Sequence, residues 1–264
     1  MSEVKNSIWG THPLGDKEPY FVDVGALNLW MLYRNEEIWI AYCYDEEVEG
    51  KVDPSAPPEK TDWQRWAHKS GGNEVQILPA FADLPLIVQS EYSLKVSPYT
   101  TIQIYSRVPL WISISIAKNE YSLIELPATK LSKTWFGTPI EGELCYHVTT
   151  KARRDLSKTT PEDYLLSCPI TISNRSAEEL TFESFCFRVE RLGIYKDTNG
   201  VLWADETEIT YHGEEQHSDI IMTGKLPKGI TKDMQISKPR KQIHKSLATR
   251  TFQRLFEDTD ILGR

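Results

Sequence analysis

From Val75 to Ala117 the chain is written in short alternating runs. Val75-Gln76-Ile77, Leu86-Ile87-Val88, Tyr92-Leu94-Val96, Thr101 to Tyr105 and Val108 to Ala117 follow one another, separated by turn residues. A side-chain period of two suits a strand and no helix. In the last run, Ile112, Ile114 and Ile116 fall on one face and Trp111, Ser113 and Ser115 on the other. One wet face is what an antiparallel sheet tolerates. Strands at this spacing predict an all-β chain built as one or more antiparallel sandwiches.

The same pattern extends both ways. Residues 20–44 read as a hairpin turning at Asn35-Glu36-Glu37, apolar enough on both faces to sit inside a sandwich. Trp63 and Trp66, three apart, predict a short helix over 62–68. Leu165 to Ser173, a polar turn and then Leu180 to Glu190 form a strand-turn-strand unit, immunoglobulin-like in its rhythm. Pairing Ser173 near Leu180 would set Cys168 opposite Cys186. The apolar parity changes between Phe182 and Phe185, which predicts a β-bulge near Glu183-Ser184. Asn199-Gly200 marks a tight hairpin between Ile194–Lys196 and Val201–Trp203.

At 264 residues the chain can form one large domain or two small β domains. The reading divides it into an N-terminal β region, 1–127, a second β-sandwich region, 128–225, and a basic linker with a helix, 226–264, all of which can pack as one compact unit. The helix is expected over 239–258, with Ile243, Leu247, Phe252, Leu255 and Phe256 on its apolar side and Pro239 in its first turn. Charge is uneven. Of the net −8, residues 225–264 hold ten Lys and Arg against four Asp and Glu, so this tail is +6 and the rest −14. An acidic body argues against nucleic-acid binding, and a basic tail suits an acidic docking surface.

The N-terminus lacks the pattern of a secretory leader, and no apolar run reaches the ~20 residues of a membrane span. A cytoplasmic protein is the expectation. Cys43, Cys145, Cys168 and Cys186 show no CxxC spacing and are expected as free thiols.

Chemistry-bearing residues concentrate between Thr129 and Arg154. Trp135-Phe136-Gly137-Thr138-Pro139 is an aromatic loop. In a strand over 141–149, Leu144, Tyr146 and Val148 would face a core, and Glu141, Glu143, Cys145 and His147 would form a polar row. Glu143, Cys145 and His147 carry donor types that bind divalent transition ions. Lys151, Arg153 and Arg154 follow as a basic exit. Trp135, Phe136, Glu141, Glu143, His147 and Arg153 are therefore the candidate ligand-binding residues. No motif assigns a catalytic residue or names a cofactor.

The run TKLSKTWFGTPIEGELCY, with Arg107 to Trp111 (RVPLW) and Leu84 to Leu86 upstream, resembles the prokaryotic domain-of-unknown-function family 432 over about residues 20–225. The resemblance implies no catalytic residues and no cofactor. Three functions remain open. The first is a non-enzymatic binding or adaptor module with a protein partner or a small polar ligand. The second is a metal-binding protein or enzyme using the Glu141–His147 row. The third is a carbohydrate or small-ligand binder using Trp135 and Phe136.

Overall fold

The computed structural model describes residues 7–68, 72–118, 121–140, 142–156, 160–213, 218–241, 247–249 and 252–253. The chain divides into two compact units, each discontinuous in sequence: 1–80 with 110–130, and 81–109 with 131–264.

The first unit contains β1 (Gly10–Pro13), β2 (Tyr20–Val24), β3 (Leu27–Arg34), β4 (Glu37–Tyr44), β5 (Gln64–Ala67), β6 (Glu74–Ala80), β9 (Trp111–Ile116) and β10 (Tyr121–Pro127), numbered along the whole chain. They make two antiparallel sheets, β2-β3-β4-β5 and β1-β6-β9-β10. The β3–β4 hairpin turns through Asn35 and Glu36, both with positive φ (53° and 61°), which matches the right-handed twist of the flanking strands. β3 is buried along most of its length on both faces, as its sequence required. The helix expected at Trp63 and Trp66 is instead an edge strand, β5. Pairing with β4 overrides a three-residue spacing that marks a helix only weakly, and Trp63 stacks near Trp39 with ring centroids 6.2 Å apart.

The second unit holds β7 (Leu86–Val96), β8 (Thr101–Pro109), β11 (Lys133–Gly137), β12 (Gly142–Ala152), β13 (Leu165–Asn174), β14 (Leu180–Phe187), β15 (Ile194–Lys196), β16 (Leu202–Ala204), β17 (Thr207–Tyr211), β18 (Ser218–Met222), β19 (Gln235–Ser237), β20 (Leu247–Thr249) and β21 (Phe252–Gln253). One sheet runs β11-β12-β7-β14-β21. The other runs β19-β15-β16-β13-β17-β18-β20, with β8 also on β13. Most pairs are antiparallel, but β12–β7, β13–β16 and β13–β17 are parallel, a mixture that strand rhythm cannot reveal.

β13 and β14 are not a hairpin. They belong to different sheets, so Cys168 does not face Cys186. The corner between them is held by Asn174, whose side-chain amide donates to Val96 O (2.9 Å) and Glu178 O (2.7 Å). Its Oδ1 accepts from Ser176 N (2.9 Å) and Ser176 Oγ (2.8 Å). The bulge expected near Glu183-Ser184 is present, as a register shift between Phe182 and Ser184 against β7. The Asn199-Gly200 turn closes β15 on β16, with Gly200 at φ 86°.

Within 239–258, where a helix was expected, Leu247–Thr249 and Phe252–Gln253 are strands paired with β18 and β14. Most of the remaining helix positions, Ile243, Leu255 and Phe256 among them, lie outside the described residues. Among the described residues no helix is long and apolar enough to cross a membrane.

Candidate functional site

β12 carries most of the candidate residues, and its two ends have different surroundings. Glu141 lies outside the described residues. At the N-terminal end the faces are reversed from expectation. Cys145 is fully buried, whereas Leu144 is 43% exposed. The reason is the neighbour: Phe136 on β11 pairs with Glu143 and brings its own side chain inward, so Phe136, Cys145, Ile87 and Cys186 pack together. Val148 is nevertheless buried, as expected. The parity is restored by a register break between His147 and Lys151 against β7.

The aromatic pair is split by the same geometry. Phe136 is a core residue. Trp135 is half exposed, with its indole N–H donating to Thr138 O (2.9 Å), and it lies over Gly142. A Cβ at Gly142 would meet Phe136 O at 2.7 Å, so only glycine fits there. His147 is half-buried, and its backbone N–H donates to Ser132 O (3.0 Å).

Glu143 faces the protein and pairs with Arg188, just past β14. The Arg188 side chain is almost wholly buried, and the Glu143 side chain keeps about a third of its surface in solvent. The Cys186 thiol lies 3.6 Å from Glu143 Oε1 and 3.9 Å from Cys145 Sγ. The hydrogen bond with Cys145, followed by burial, pushes the Cys186 thiol well above the ordinary range, and Arg188 pulls against that. Among the described residues no group of three or more His, Cys, Asp or Glu could hold a metal ion.

At the other end of β12 a cleft of about 450 Å³ opens. Arg107 on β8, Thr150 and Lys151 on β12, Arg153 just beyond it, and Glu162 and Tyr164 on the approach to β13 line it. The backbones are locked. Tyr105 and Arg153 exchange two hydrogen bonds (2.7 and 2.9 Å), and the Thr150 hydroxyl donates to Arg107 O. The Arg107 side chain is only 13% exposed, and Glu162 Oε1 stands 3.8 Å from it, beyond hydrogen-bond reach. Arg153 is more open and pairs with Glu91 at 3.2 Å. Tyr164 donates to Glu162, and that bond, with burial, pushes its phenol up to about 12. It keeps its proton at neutral pH and serves as a donor, not a base.

The family model described as "Protein of unknown function (DUF432)" matches residues 8–257. The chain belongs to that family. No curated protein and no solved structure matches this DUF432 chain. The family description carries no activity to the cleft, so its chemistry is read from its residues. Of the residues singled out in the DUF432 sequence, Arg153 lies in the cleft, Glu143 and Cys145 lie in the thiol cluster, and Trp135 stands at the surface of the β11–β12 hairpin. Arg107, Glu162, Tyr164, Cys186 and Arg188 were not among the candidate site residues. Arg107 offered one signal: on β8 it is out of phase with the buried Ile102, Ile104, Ser106 and Val108.

Proposed function

We propose that this protein is a non-enzymatic binding module whose ligand is a small anionic metabolite held in the β12–β8 cleft of the second unit. The observation that carries the reading is Arg107. A guanidinium with five donors sits in a concave site, nearly out of solvent, with its carboxylate neighbour too far for a hydrogen bond. A half-buried cation in that position is suited to a carboxylate or phosphate bound bidentately. Lys151 and Arg153 add positive charge at the mouth, and Thr149, Thr150, Thr160 and Tyr164 supply hydroxyls. The volume lies in the range of small-molecule sites. Tyr164, which holds its proton, serves such a ligand as a hydrogen-bond donor. Four free, buried cysteines suit a reducing compartment, in keeping with a cytoplasmic location.

A thermal-shift screen of phosphate- and carboxylate-bearing metabolites, with neutral analogues beside them, tests the reading. Saturation at about 100 times Kd stabilises by ~2.7 kcal/mol, which raises Tm by several degrees. At least one anionic compound should do this, and its neutral analogue should not. Silence across the anionic set, or equal shifts from the neutral compounds, would sink the proposal.

A further inference from the structure

The first unit holds its own concave site, of about 740 Å³, where β4 runs on past the end of β5. β5 pairs with β4 from Glu37 to Ile40 and stops there. Beyond Ile40, β4 is paired with β3 on one side, and its other edge carries no strand among the described residues. The ladder fixes which backbone groups face that open edge. The Asp45 N–H donates to Ala26 O on the β3 side (2.9 Å). Antiparallel pairs alternate, so Tyr44 and Tyr42 turn their backbone groups the other way. Tyr44 obeys this phase, since its N–H donates to Glu47 Oε2 at 2.8 Å. The Tyr42 N–H and C=O have no partner among the described residues, and Tyr42 lines the cavity.

The cavity wall is acidic. Glu49, Glu59 and Asp62 line it and pair with no cation among the described residues, and Lys60 is the one lysine beside them. Glu47, also on the wall, is already held by Lys130 at 2.6 Å. The Cys43 thiol is 4% exposed, has no hydrogen-bond partner among the described residues and lines the same cavity. Burial, followed by the charges of Glu47 and Asp45, pushes this thiol up, so it stands as a donor. A bare cation would use the carboxylates and leave the Tyr42 N–H idle. A peptide group offers an acceptor and a donor together, which is the match for an open strand edge. We propose that this cavity is a docking groove for an extended basic peptide segment. Its backbone pairs with Tyr42, and its Lys or Arg side chains meet Glu49, Glu59 and Asp62. The charge of the wall selects a basic segment over a neutral or acidic one.

Fluorescence anisotropy tests this with the full-length protein at low salt and an N-terminally labelled Ala-Lys-Val-Arg-Ala amide. The peptide should bind saturably, and a version with Glu in place of Lys and Arg should not. Singly N-methylated versions keep every charge and lose one backbone donor. At least one of them should bind about fivefold more weakly. Glu59→Gln and Asp62→Asn should each weaken binding by about two- to fivefold. Arg107→Met, in the other unit, should leave it unchanged. Hydrogen exchange on the wild-type protein is independent of any variant's folding. The peptide should slow exchange of the Tyr42 amide, and spermine, a polycation with no peptide group, should not. Absence of saturable binding, equal binding of the acidic or of every N-methylated version, or unchanged affinity in both carboxylate variants would overturn the proposal. So would weakened binding in Arg107→Met, or a Tyr42 amide that the peptide leaves unprotected or that spermine protects as well.

Discussion

Cys145 Sγ and Cys186 Sγ lie 3.9 Å apart although β7 runs between the strands that carry them. Both thiols are free and fully buried, so a dissolved oxidant does not reach them in the folded protein. The folded protein treated with a mild thiol oxidant such as diamide should therefore keep all four thiols. Counting them with a chromogenic reagent after unfolding checks this. Recovery of only two, with a Cys145–Cys186 link in the peptide map, would mean that the pair is open to oxidation in the folded protein.

Asn174 is fully buried and uses both ends of its amide to fasten the corner between β13 and β14. Truncation leaves Val96 O, Glu178 O and Ser176 N–H without that partner inside the protein. Each stranded buried group costs about 1–3 kcal/mol, so Asn174→Ala should destabilise by roughly 2–4 kcal/mol in urea unfolding. A loss below about 0.5 kcal/mol would show that other groups hold the corner.

The strands and the turn at Gly200 were legible because period two and Asn-Gly are local signals. So was the bulge in β14, since Phe182 and Phe185 cannot both face the core on an unbroken strand. Pairing was not legible. Whether β13 meets β14 or β8 depends on long-range contacts, and Cys168 and Cys186 look like partners only if sequence neighbours are assumed to pair. The β12 face failed for a related reason. Cys145 is neutral enough for either face, and Leu144 lost its place to Phe136 from β11. The cleft drew on Arg107 and Tyr164, 57 residues apart in the numbering, and nothing local connects them.

Asp205 is buried, with its carboxylate accepting from Gly193 N–H at 2.8 Å, and burial raises its pKa above the ordinary value. A raised carboxylate contributes stability that is fully present below the unfolded value of about 3.9 and is lost as pH rises through the folded pKa. The wild type should therefore lose stability relative to Asp205→Asn as pH increases from about 4. The slope cannot exceed about 1.4 kcal/mol per pH unit, and Asn keeps an oxygen for Gly193. Urea unfolding of both proteins across this range reads the difference directly. A difference that is flat, or that grows in favour of the wild type with pH, would contradict the assignment.

The anion cleft rests on the competition between Glu162 and a ligand for Arg107. Titration calorimetry at low salt, with the strongest anionic compound from the thermal-shift screen, measures that competition. Arg107→Met should weaken binding at least tenfold. Glu162→Gln should strengthen it several-fold, because it removes the carboxylate 3.8 Å from the same guanidinium. Unchanged affinity in Arg107→Met, or weaker binding in Glu162→Gln, would contradict the account.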